Sequence, residues 1–77
     1  MTPEQCRAAR AWLALTQSDL AEAAGVALST LKDFEGGRRV PIANNLAAIQ
    51  AALEKRGTAF FDDKKTCGIT YAKPENG

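Results

Sequence analysis

The sequence predicts a mainly α, compact domain of four helices followed by a C-terminal β-hairpin. Three observations predict it. Apolar residues recur at helical spacing through residues 1–56, cap and stop residues cut that stretch into short segments, and strand formers cluster only after Gly57. With 77 residues, 45% of them apolar and 25% charged, the chain has the composition of a folded domain with room for one core. A domain this short buries only about 60–65% of the surface its unfolded chain exposes, so a partner subunit that covers more apolar area is expected on physical grounds.

The first helix is predicted from Thr2 to Leu15, with Thr2 as cap, Pro3 at the first helical position and Glu4 in the first turn. Cys6, Ala9 and Leu13 define its buried face, and Ala8, Trp12 and Leu15 form a second stripe for another contact. Thr16-Gln17-Ser18-Asp19 reads as a capping box in which Thr16 accepts the Asp19 amide and the carboxylate reaches back. The second helix starts there and runs to Gly25, a residue free to take positive φ and end a helix abruptly. A third helix spans residues 27–35 and stops at Gly36-Gly37. A fourth runs from Asn44 to Arg56 on Leu46, Ile49 and Leu53. Thr58 to Phe61 and Ile69 to Ala72 flank a polar turn and read as the hairpin, and Lys73 to Gly77 carry no periodicity and are expected to fray.

Composition also narrows function. No stretch approaches the roughly 18 apolar residues of a membrane span, and Met1 to Glu4 lack the features of a signal peptide, so no membrane partner and a cytoplasmic location are expected. Cys6 and Cys67 stand far apart in a chain with no histidine, so neither a metal site nor any other cofactor is expected, and Cys6 reads as a small core residue. The chain is not expected to be an enzyme, because it offers no histidine, no paired carboxylates in a recognisable setting and no Gly-rich phosphate loop. The net charge of +1 is too small to announce a nucleic-acid partner, so any such case rests on where the charges fall.

Two short helices joined by a tight turn cross steeply only if small residues sit at the crossing and a glycine sits in the turn. Ala21 and Gly25 meet that need, and Leu20, Val26, Leu31 and Phe34 supply the shared core. The stretch from Thr16 to Gly37, TQSDLAEAAGVALSTLKDFEGG, resembles the lambda-repressor-like, or Xre-type, family of helix-turn-helix regulators. The resemblance covers roughly Glu4 to Leu53. It rests on the TQ-x-x-LA opening, the AGV turn and the terminal E-x-G before a basic pair.

The resemblance implies a four- or five-helix domain that acts as a small sequence-specific regulator, a repressor rather than an activator as the first reading, and binds double-stranded DNA with its third helix in the major groove. The outward positions of that helix would then be Leu28, Ser29, Lys32 and Asp33. Lys32 suits a guanine edge, Ser29 several base edges, Leu28 a thymine methyl and Asp33 a cytosine amino group. Asp33 would repel phosphate, and its alternative reading is a solvent-facing partner of Lys32 or a neighbouring arginine. By the same resemblance Gln17 holds a backbone phosphate at the second helix's amino end, and Arg38, Arg39 and Asn44 lie near the flanking strand. Arg10 and Glu35 match a structural salt bridge between the first helix and the end of the third. Two positions depart from the pattern. Ala27 stands where Ser or Thr commonly caps the third helix, and Leu28 replaces a residue that is commonly polar.

On this reading residues 1–56 form the DNA-binding domain, and residues 57–77 form a hairpin and tail available for dimerisation. An isolated pair of strands is marginal in water and must pack on something. One solution is its mate in a homodimer, with Phe60, Phe61, Ile69 and Tyr71 around the junction. The other is its own first helix, covering Trp12, with a helical surface making the dimer. The rival function is a protein-interaction module such as an antitoxin or adaptor, in which a protein partner meets Leu28 and the strand aromatics.

Overall fold

Thr2 and Gln5 close the first helix end against each other: Thr2 Oγ1 accepts the Gln5 amide at 3.1 Å and Gln5 Oε1 accepts the Thr2 amide at 2.8 Å. From that box the computed structural model describes residues 1–74 as α1 (Pro3–Trp12), α2 (Gln17–Ala24), α3 (Leu28–Glu35), α4 (Ala43–Glu54), β1 (Thr58–Asp62) and β2 (Cys67–Tyr71). The described residues thus hold four helices and a hairpin, the fold class the periodicity predicts. Lys73 and Pro74 carry no regular structure, and the rest of the tail expected to fray, residues 75–77, lies outside the described residues.

Helix ends differ from the expected bounds by a turn or less, and each difference has a cause. α1 stops at Trp12 rather than Leu15 because Ala14 takes φ 55°. The Leu15 amide then reaches back to the Arg10 carbonyl and the Ala14 amide to Ala11, which satisfies the last carbonyls as a Schellman turn does. Gly25, at φ 69°, closes α2 in the same way, with the Val26 amide on the Ala21 carbonyl at 3.0 Å. Ala27 precedes α3 as its uncapped N-cap instead of forming its first turn.

The core gathers on the inner faces of all four helices: Cys6 and Ala9 of α1, Leu20 and Ala21 of α2, Leu31 and Phe34 of α3, and Ile49, Ala52 and Leu53 of α4. Full burial of each large aliphatic side chain contributes about 1.5–3 kcal/mol. Leu13, expected on this face, is half-buried at its margin.

The hairpin pairs antiparallel, with Phe60 opposite Ile69 and Phe61 opposite Gly68. Strand alternation turns Thr58, Phe60, Ile69 and Tyr71 toward the helices and leaves Phe61 on the far side. Phe60 and Ile69 pack against the helical core. Thr58, buried, donates its hydroxyl to the Leu53 carbonyl at 2.8 Å, and Trp12 meets Tyr71 with ring centroids 5.7 Å apart. Gln5 completes the seam: its buried side-chain amide donates to the carbonyls of Phe61 at 2.7 Å and Gly68 at 2.9 Å. The stripe of Ala8 and Trp12 on α1 therefore meets β2, as the second of the two packing solutions anticipates, although Trp12 remains 62% exposed.

Candidate nucleic-acid interface

One side of α3 is fixed to the body of the protein and the other is free. Leu31 and Phe34 enter the core, and Glu35 closes the helix on the same side with a carboxylate only 3% exposed. A carboxylate so placed is tolerable only if its oxygens are satisfied. Arg10 grips it in a fork, Nε on Oε2 and Nη2 on Oε1, each at 3.0 Å. Gln17 Nε2 donates to Oε1 at 2.9 Å, and the Cys6 thiol to Oε2 at 3.3 Å. Arg7 adds a hydrogen bond from its guanidinium to the Glu35 carbonyl.

One carboxylate at the end of α3 thus ties that helix to both α1 and α2. Burial pushes the Glu35 carboxyl upward, but the donors from Arg10, Gln17 and Cys6 outweigh it and hold the group below its ordinary value. Burial, reinforced by the adjoining carboxylate, pushes the Cys6 thiol up to about 12.

Successive residues of a helix lie about 100° apart, which sets Ser29 and Lys32 opposite Leu31 and Phe34. Both are exposed. Asp33 is partly exposed and accepts from Arg38 Nε at 3.2 Å, the arginine-partner alternative for this side chain. Leu28 departs from its expected outward position. It stands about 20° from Glu35 around the helix, is half-buried, and packs against the core.

The chain after α3 folds back on the helix. The amides of Arg38 and Arg39 both reach the Asp33 carbonyl, at 2.9 and 3.3 Å, and Arg38 Nη2 lies 3.4 Å from the Lys32 carbonyl. Lys32, Asp33, Arg38 and Arg39 are therefore brought together at one end of α3, while Ser29 lies in its first turn. Arg39 is exposed, and among the described residues its guanidinium has no hydrogen-bonded partner.

At the start of α2, Thr16 Oγ1 accepts the Asp19 amide at 3.0 Å and Asp19 Oδ2 accepts the Thr16 amide at 3.0 Å. Those bonds hold the Asp19 carboxyl below its ordinary value and leave the Gln17 and Ser18 amides as first-turn groups beyond the reach of any helical carbonyl. The Gln17 side chain points to Glu35 rather than standing free beside those amides. Asn44, exposed, occupies the first turn of α4, whose N-cap Ile42 supplies no side-chain bond.

Of the residues read as a dimer junction, Phe60 and Ile69 are half-buried against their own helices. Tyr71 flanks Trp12, and Phe61 is 43% exposed beside Gly68.

Three residues around the site carry a signal that local rules can read. Thr2 and Gln5 stand at capping-box spacing, and the angle of Leu28 beside Glu35 follows from helix geometry alone. Cys6 and Gln17 as partners of Glu35 had no such signal, since they lie 29 and 18 residues away.

A helix-turn-helix family model, HTH_3, matches residues 7–60, which takes in α2, α3 and α4 whole and reaches into β1. No curated protein matches the chain. No helix among the described residues is long and apolar enough to cross a membrane.

Proposed function

From a chain that belongs to the lambda-repressor-like helix-turn-helix family, a family of DNA-binding regulators, we infer a sequence-specific repressor that reads double-stranded DNA with the outer face of α3. The observation that carries this reading is the two-sidedness of α3. Its inner face is locked by Leu31, Phe34 and the Glu35 cluster, and its outer face offers Ser29 and Lys32 to solvent with no partner among the described residues. A reading helix has to be held rigidly so that its side chains meet base edges in register.

Ser29 and Lys32 are the base readers. Asp33 orients Arg38, and the thymine contact assigned to Leu28 is limited to the part of that side chain left uncovered. The Gln17 and Ser18 amides, Arg38, Arg39 and the first turn of α4 with Asn44 grip phosphates on either side. In this scheme the Gln17 side chain serves the Glu35 cluster as well, so it aims the amide end of α2 at the phosphate.

Two or three cationic contacts give a monomer a salt slope of only about −2 to −3, so we propose a cytoplasmic homodimer on half-sites about 34 Å apart. Its contact would use the exposed Phe61 on the outer face of the hairpin or the exposed Trp12 of α1. Occupancy of a promoter by such a dimer blocks polymerase and requires no catalytic step.

Selection from a random duplex pool tests the reading, with wild type run beside a Ser29→Ala, Lys32→Ala double variant. These exposed positions leave the Glu35 cluster intact. A two-fold-symmetric site enriched by the wild type and lost in the variant is the expected result. No enrichment at moderate salt, or enrichment indifferent to both changes, would sink it. The second reading, an antitoxin or adaptor that binds a protein, draws on one observation: Val40 and Ile42 are exposed large apolar residues beside the arginines.

A further inference from the structure

The loop between α3 and α4 leaves Val40 75% and Ile42 70% exposed, more than any other large apolar side chain among the described residues. Val40 forms one wall of an open groove of about 400 Å³ whose other walls are Pro3, Phe34 and Leu46. That volume falls within the range that accepts a bulky side chain or a short helical segment.

The rim is cationic. Arg38 and Arg39 line the groove, Lys32 lies one turn before the end of α3, and among the described residues the only carboxylate bonded to any of the three is Asp33. We propose that this groove docks a protein segment that is acidic and carries at least one large apolar anchor.

The two halves of that description come from different parts of the site. The apolar floor excludes DNA as the intended occupant, since a phosphate backbone has nothing to bury there. The exposed arginines repel a basic segment and complement an acidic one. They also disfavour a second copy of this chain, because a two-fold contact sets this cationic patch against the same cationic patch of its mate.

Docking stands without the DNA reading. Its consequence rests on that reading: a segment bound over Arg38 and Arg39 occupies two proposed phosphate contacts, so segment and operator compete for the chain.

Short random peptides displayed on phage, panned against the full chain, test the docking directly. Enriched sequences are expected to pair acidic residues with Leu, Ile, Met, Phe or Trp. A synthetic peptide of the enriched consensus should shift the amide resonances of Gly37, Arg39 and Val40. It should bind about ten-fold more weakly to a Val40→Ser, Arg39→Ala variant, since truncating a central anchor typically costs that much or more. Both side chains are exposed, and unchanged remaining resonances will show that the variant is folded.

The proposal is overturned if no peptide is enriched, if enrichment lacks acidic residues, or if the double variant binds equally. It is overturned as well if the Val40 resonance shifts with protein concentration alone, which would assign the groove to a second copy. Competition with duplex DNA is a separate arm. Peptide binding without competition leaves the docking intact and removes only its consequence for DNA.

Discussion

The four helices begin in two different ways. α1 and α2 each open with a complete capping box, Thr2 with Gln5 and Thr16 with Asp19, so part of their amino-terminal hydrogen bonding closes locally. α3 and α4 open on Ala27 and Ile42, which supply no side-chain bond. An N-cap side chain contributes about 1 kcal/mol, so the second pair forgoes that support and depends on long-range contacts. α3 has the Glu35 cluster at its far end, and α4 has Ile49, Ala52 and Leu53 along its length. The first pair is stabilised by its own sequence and the second by the rest of the molecule. Of the three helices proposed to approach DNA, α3 and α4 have open amino ends and α2 is capped.

Breaking the long-range support should produce the largest effect. Glu35→Ala leaves Arg10 uncompensated beside the core and should cost about 3–5 kcal/mol in urea unfolding, with the amides of α3 losing more exchange protection than those of α2. Equal loss in both helices would refute the division. Acid should weaken the same clamp reversibly. Because Glu35 titrates below its ordinary value in the folded chain, the unfolded chain binds the proton first. The stability it confers is present above that ordinary value and disappears as pH falls through it toward the folded value. Asp19 and Asp63 are lowered too and add in the same direction, so Glu35→Gln should flatten the acid limb of a stability-against-pH curve without abolishing it.

Removing a local cap is the next smaller change. Thr16→Ala should cost about 1 kcal/mol, and the Asp19 carboxyl should rise only part of the way to its ordinary value in a carbon-13 titration, because the backbone amide that chiefly lowers it remains. Supplying the missing cap reverses the sign: Ala27→Ser should add about 0.5–1 kcal/mol to the thermal or urea stability. The smallest change is Ala14→Gly, which relieves a left-handed alanine at φ 55° and should add about 0.5 kcal/mol. A loss there would mean that the unfolded chain gains more freedom than the turn releases.

What could be read in advance follows the same division. The box at Thr16 and the stop at Gly25 are contained within a few residues, and local rules found them, whereas the missing cap at Ala27 was visible only against the family pattern. The helical core was legible because burial imposes a period, and the hairpin because its strand formers stand apart from that period. The Arg10–Glu35 pair came only from the family resemblance, since nothing local connects residues 25 apart.

The seam was not legible. Gln5 reaches carbonyls 56 and 63 residues away, and an amide bound to backbone oxygens leaves no mark in the side-chain pattern of the strands. The family resemblance gives Gln17 a phosphate at the amino end of its helix, and the fold turns its side chain to Glu35, an acceptor 18 residues away that no local rule connects to it. For the candidate interface, then, exposure of Ser29 and Lys32 followed from helix geometry, whereas the rigidity behind them depends on contacts that only the folded chain brings together.

The two cysteines give this chain an internal clock for opening. Cys67 lies exposed at the outer end of the hairpin, while Cys6 is sealed in the core with its proton held toward Glu35. A thiol held at about 12 supplies almost no thiolate near neutrality, and thiolate is the species that alkylating reagents attack. Cys67 will therefore take a fluorophore or spin label stoichiometrically while Cys6 stays unmodified. After that first modification, the slow second one counts the moments at which α1 lifts from the Glu35 cluster, in native buffer and without denaturant.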